Sequence, residues 1–234
     1  MQVGSNEFSF VKKRAYGSVS IYKGKGSYLK IGSAEHIGNE LRLHNRLVSL
    51  GFPVSRVIAE GELHGQRYYI ESSLGEEHLG TLFTRDYKAQ KEISEPHFRT
   101  FIELSEHFCR AQLSTAHPGS VGTEFYNAIN MNYVAEERPD IEADLKLAFE
   151  RMKKRLSLFP LVLTHNDLNP FNFLPNGIID FEHAFEGPAG YDVSYNIYTI
   201  YLFPKPGDYE HHRGYVIHVN CVVELCAYAS RMCC

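Results

Sequence analysis

The sequence predicts an α+β fold in two lobes, a small antiparallel sheet carrying one helix, followed by a mainly helical region. Three observations lead there. Glycine-punctuated runs of β-branched and aromatic residues fill the chain up to Ser73, helical periodicity takes over from Gly75 to about Leu158, and a polar loop between short apolar runs follows.

In chain order, Phe8 to Gly32 contains R-A-Y-G-S-V-S-I-Y-K-G-K-G-S-Y-L-K-I-G, which reads as antiparallel strands joined by glycine turns. Between Glu35 and Leu50 the apolar residues Ile37, Leu41, Leu43, Leu47, Val48 and Leu50 recur at near-helical spacing. Gly51 and Pro53 supply the stop, so one amphipathic helix is expected. The stretch V-S-R-V-I-A-E-G-E-L-H-G-Q-R-Y-Y-I-E-S-S offers two strands around a Gly65 turn, with Tyr68, Tyr69 and Ile70 favouring the extended state. Residues 1–74 are therefore read as the first lobe and residues 75–234 as the second.

The second lobe holds F-I-E-L-S-E-H-F-C-R-A-Q-L and I-E-A-D-L-K-L-A-F-E-R-M-K-K-R-L, both with helical periodicity. A short strand L-V-L-T then leads into H-N-D-L-N-P-F-N-F-L, and Pro175-Asn176-Gly177 turns the chain back into I-I-D-F-E as a hairpin. From Tyr191 onward a helical pattern is expected around a P-K-P-G-D break at Pro204 to Asp208.

Composition removes several classes. With 24 Lys plus Arg against 28 Asp plus Glu over 234 residues, the formal charge of −4 argues against a nucleic-acid protein built on bulk basicity. At 44% hydrophobic and 22% charged the chain is an ordinary globular protein, able to bury a core without metal or disulfide. The 5 cysteines are odd in number and lack C-x-x-C spacing, which speaks for a reducing cytoplasm. No signal-peptide pattern or spanning apolar run is seen, so neither secretion nor membrane insertion is expected. His211, His212 and His218 lack an established zinc-ligand spacing. A Walker A loop fails because Gly24-Lys25 is followed by Gly26.

The chemistry concentrates in T-H-N-D-L-N-P-F-N-F-L-P-N-G-I-I-D-F-E, which sets His165, Asp167, Asn172 and Asp180 at the ends of a strand and a hairpin. Phosphoryl transfer needs a carboxylate to orient the acceptor hydroxyl, and an amide with a second carboxylate to hold magnesium against the phosphates. Asp167, Asn172 and Asp180 fit those roles in order, and the Asp167-to-Asn172 spacing is that of an H-x-D-x-x-x-x-N catalytic loop. His165 is expected to hold the loop by hydrogen bonding, with Asp167 better placed as proton acceptor. Taken singly, Asp167 and Asn172 read as turn residues and Lys30 as a strand-edge charge. The joint pattern favours the site.

On these residues the chain resembles the aminoglycoside phosphotransferase and choline kinase families, small-molecule kinases sharing the protein-kinase-like fold. Ile179-Asp180-Phe181-Glu182 is similar to their metal-aspartate segment, where a protein kinase has glycine at the position of Glu182 and a later A-P-E. G-P-A-G-Y-D-V is similar to a downstream segment whose aspartate, here Asp192, braces the catalytic loop. The resemblance implies that Lys30 contacts the nucleotide phosphates, with Glu40 as its ion-pair partner and Glu35 as the rival for that place. It also makes Ala15 to Ser20 the loop over the phosphates, with the Ser18 hydroxyl as a donor, and Tyr69 to Glu76, including Glu71 and Ser72, the hinge beside the base.

The function implied is a magnesium-dependent phosphotransferase moving the γ-phosphate of ATP, or of GTP, to a hydroxyl of a small molecule such as an aminoglycoside-like or choline-like alcohol. Two alternatives stand beside it, a nucleotide-binding scaffold without transfer and a protein kinase. No nucleic-acid or membrane partner is expected. Tyr191, Tyr195 and Tyr198 fall at helical spacing and read as core rather than as a cage for a cationic acceptor.

Overall fold

The computed structural model describes residues 1–14 and 19–194. A small amino-terminal hairpin comes first, β1 (Gln2–Val3) and β2 (Asn6–Glu7), turning at Gly4 with its φ of 59°. The expected sheet follows, built from β3 (Ser9–Lys13), β4 (Ser20–Gly24), β5 (Ser27–Gly32), β6 (Val57–Leu63) and β7 (Gln66–Ser72). Its order is β3-β4-β5-β7-β6, antiparallel throughout. The β6–β7 turn uses His64 and Gly65, both at positive φ, the geometry a two-residue hairpin demands.

Between β5 and β6 runs α1 (Ala34–Ser49). Ser33 caps it by accepting a hydrogen bond from the His36 backbone N–H, and Gly51 at φ 77° ends it, as the sequence predicts. The buried face of α1, with Ile37 and Leu41, packs with Val19 and Tyr69 on one side of the sheet. Phe8, Leu29 and Ile70 form a separate core on the other side.

The helical part comprises α2 (Leu79–Gln90), α3 (Glu95–Leu113), the short α4 (Thr123–Ala128) and α5 (Met131–Glu137), and α6 (Glu142–Leu156). After it come β8 (Leu161–Thr164) and the hairpin of β9 (Phe173–Leu174) and β10 (Gly177–Ile178). The strand β11 (Phe185–Pro188) pairs antiparallel with β8, an element the sequence reading does not contain. The expected helix beyond residue 194, with Tyr195, Tyr198 and the Pro204 break, lies outside the described residues. So do His211, His212 and His218.

The largest core joins Leu47 and Phe52 to Phe83, Phe101, Phe108 and Phe173, so the end of α1 is built into the helical region. Two backbone bonds dock the β9–β10 hairpin on the segments flanking the sheet. The Ile178 N–H donates to Pro53 O at 2.7 Å and the Asn176 N–H to Leu74 O at 2.9 Å. The polar loop between β8 and β9 is thereby fixed against the sheet.

Candidate active site

Four buried residues of β8, Leu161 to Thr164, carry the chain to His165, which is itself 0% exposed. Both ring nitrogens of His165 are engaged. Nε2 lies 2.8 Å from the Ile179 carbonyl, to which it donates, and Nδ1 accepts the Asp167 backbone N–H at 3.2 Å. That pattern requires the neutral imidazole. Burial, the largest influence, pushes its pKa below the ordinary value, against the opposing pull of Asp192. Neither ring nitrogen is open to a reactant.

Asp167 is held from both sides. The Asn169 side chain donates to one carboxylate oxygen at 2.8 Å, and the Asn172 side chain donates to the other at 3.0 Å. The Asn172 amide also donates to the Asp167 carbonyl at 2.8 Å. The Asn172 carbonyl accepts the Ile179 N–H at 2.9 Å, which brings the amide up to the residue preceding Asp180. Asp180 itself sits at φ 71°, a left-handed conformation that costs a non-glycine residue energy and turns the chain out of the hairpin.

Asp192, also fully buried, accepts the backbone N–H groups of His165 and Asn166, at 3.0 Å and 2.9 Å. The Gln112 side chain adds a bond to Asp192 at 2.7 Å and one to the Leu163 carbonyl at 3.1 Å. The loop therefore hangs from a carboxylate placed by α3. Sequence reasoning found Asp192 but missed Gln112, since a glutamine on a helix gives no signal of its own.

On the sheet side, Lys30 has the expected partner Glu40 and a closer one, Glu71. Its Nζ lies 3.0 Å from Glu71 and 4.0 Å from Glu40. The register explains this. Lys30 stands opposite Tyr69, so Glu71, two residues on, is its diagonal neighbour on the same face. The Ser55 hydroxyl donates to the second Glu71 oxygen at 2.7 Å and fixes it there. Burial alone would raise the Glu71 pKa, and Lys30 together with Ser55 hold it below the ordinary value. For Lys30 burial works to lower the pKa and Glu71 outweighs it, so the ammonium stays charged.

Glu40 has nearer partners of its own. It lies 2.6 Å from Arg14 and accepts the Tyr69 hydroxyl at 2.9 Å. Arg14 reaches on to Asp180 at 3.1 Å and to Glu182 at 3.2 Å. Sequence reasoning passed over Arg14. Its only signal was its position directly ahead of the loop expected to cover the phosphates.

Glu71 thus enters the site through its side chain. Ser72 spends its backbone N–H on Arg56 O at 2.9 Å, and its hydroxyl accepts the Arg56 N–H at 3.0 Å, so these groups serve the β6–β7 edge. Ser18 lies outside the described residues. A cavity of about 180 Å³ opens between sheet and hairpin, lined by Val11, Ile21, Tyr28, Lys30, Glu71 and Leu174. Apolar residues line it from both walls.

The donors at Asn172 and Asp180 suit magnesium, which takes hard oxygen ligands from one or two carboxylates and keeps other positions for water and phosphate. Among the described residues no group of three or more His, Cys, Asp or Glu side chains is arranged to hold a metal. No helix among the described residues is long and apolar enough to cross a membrane.

The model of the phosphotransferase enzyme family matches residues 28–213. No curated protein matches the chain. Among solved structures, the aminoglycoside phosphotransferase APH(3'')-Id from Streptomyces rimosus in complex with ADP and streptomycin superposes with a TM-score of 0.53 at 15% identity, over 82% of this chain and 78% of that one. A second structure of that enzyme gives a TM-score of 0.52 at 14% identity, over 82% of this chain and 77% of that one. The likeness is one of fold, an α+β kinase-like architecture.

Proposed function

Because the chain belongs to the phosphotransferase enzyme family, we propose that it transfers the γ-phosphate of ATP or GTP to a hydroxyl of a small molecule, with magnesium as cofactor. One observation carries the reading. Asp167, Asn172 and Ile179 form a single hydrogen-bonded unit, and Ile179 and Asp180 line a cavity that also holds Lys30.

In this reading Asp167 orients the acceptor hydroxyl and takes its proton as the oxygen attacks phosphorus. The two amides on its carboxylate keep its oxygens aimed. Asn172 and Asp180 hold the magnesium, which neutralises charge on the β- and γ-phosphates when bound. Lys30 contacts phosphate, with Glu71 and Glu40 as its carboxylate neighbours. His165 and Asp192 keep the loop in register. Residues 1–74 form the nucleotide-binding lobe, and residues 75–234 carry the catalytic loop and the acceptor site.

The acceptor class is a hydroxyl-bearing small molecule of the aminoglycoside or choline kind, and the cytoplasm is its setting. The ADP and streptomycin held by the Streptomyces enzyme of like fold support the pairing of nucleotide with a polar, hydroxyl-rich acceptor. Thermal shift with ATP and with GTP, each with and without magnesium, tests the nucleotide half. A ligand near 100 times its dissociation constant adds about 2.7 kcal/mol to stability. Magnesium-dependent stabilisation that disappears in Asp180→Ala supports the reading, and no shift with either nucleotide removes it.

A further inference from the structure

Arg14 is bound to three carboxylates, Glu40, Asp180 and Glu182, one of them a proposed magnesium ligand. We propose that Arg14 is a phosphate-binding residue of the nucleotide site, resting on these carboxylates until a magnesium nucleotide draws it onto the phosphates. This inference rests on the phosphotransferase reading of the same cleft.

Position is the first ground. The Arg14 N–H donates to Val19 O at 2.9 Å, closing the base of the β3–β4 connection, so its side chain leaves the sheet where the loop over the phosphates begins. That side chain is 14% exposed, and it lines both the 180 Å³ cavity and a smaller adjoining one of about 70 Å³. Lys30 and Asp180 line the same two cavities.

Charge is the second ground. The walls of the smaller cavity carry two basic side chains that stay charged, Arg14 and Lys30, against the carboxylates of Glu40, Glu71, Asp180 and Glu182. A triphosphate entering beside this excess of negative charge needs both cations as well as its metal. Lys30 is shared between Glu71 and Glu40.

Exchange of partners is the third. A divalent cation engaging Asp180 repels a guanidinium 3.1 Å from the same carboxylate and competes for its oxygen. Arg14 then needs a new acceptor. Its planar fork matches two phosphate oxygens at once, which a lysine cannot do. As Arg14 leaves, Glu40 becomes available to Lys30, 4.0 Å away.

Calorimetric titration of the full chain with ATP, ADP and adenosine in excess magnesium, for wild type, Arg14→Ala and Arg14→Lys, tests this. Arg14→Ala is expected to weaken ATP binding about ten-fold or more while leaving adenosine unchanged, with Arg14→Lys between. ATP binding that is unchanged or tighter in Arg14→Ala overturns the proposal, since Arg14 would then be a plug. An equal loss for adenosine overturns it as well, because the damage would be general. If Arg14→Ala fails to fold, Arg14→Lys decides, and undiminished ATP affinity in it counts against a forked phosphate contact. A wild-type protein that binds none of the three ligands removes the nucleotide reading itself, an outcome separate from any variant result.

Discussion

The Glu71 carboxylate lies 3.0 Å from Lys30 Nζ, a full ångström closer than Glu40, and the Ser55 hydroxyl anchors it. The cation at the back of the cleft is thus held more closely by its own sheet than by α1. Replacing Glu71 by Gln leaves a buried ammonium with its nearer charge partner gone. It is expected to lower unfolding stability by about 1–3 kcal/mol, with Ser55→Ala costing about 1 kcal/mol. Urea denaturation of the two variants against wild type checks both values.

Asp192 carries the proposed catalytic loop on bonds from two backbone N–H groups and the Gln112 amide. Asp192→Asn turns one acceptor oxygen into a donor facing other donors, so the loop must shift. Misplacing a reacting group by about 1 Å costs about 100-fold in rate. The expected outcome is a fall in kcat of that order with the nucleotide dissociation constant nearly unchanged. Steady-state kinetics beside nucleotide titration separates the two, and a loss confined to nucleotide binding would place Asp192 elsewhere in the mechanism.

Stability is expected to fall on mild acidification. His44 is buried, with Nε2 2.9 Å from the Ser55 carbonyl, and burial lowers its pKa below the ordinary 6.5 despite the pull of Glu71. His165 is shifted in the same direction, again chiefly by burial. As pH falls the unfolded chain takes up these protons first, so their contribution is complete above about 6.5 and drains away below it. The melting temperature should therefore drop between pH 7 and pH 5, and His44→Gln should flatten that slope. A profile flat across this range in wild type would show that neither imidazole is held neutral.

What the sequence made legible was local. The loop is short enough that the spacing from His165 to Asp180 reflects its geometry, and α1 announces itself by the apolar spacing from Ile37 to Leu50 and the Gly51 stop. What it hid was decided at a distance. Phe185 to Pro188, containing glycine and proline, is a strand only because β8 lies beside it, with Phe185 opposite Thr164. The pairing of Lys30 with Glu71 depends on strand register and on Ser55. Arg14 reaches Asp180 across 166 positions, a contact no local pattern encodes.

The central claim is that Asp167 presents a small-molecule hydroxyl to a magnesium-bound nucleotide. The most direct measurement follows ADP or GDP release with magnesium across a panel of amino sugars, choline and other small alcohols, for wild type and Asp167→Asn. The expected result is acceptor-dependent release by wild type, reduced at least about 100-fold in Asp167→Asn while its nucleotide affinity is kept. Equal acceptor-dependent release by both proteins would contradict the account.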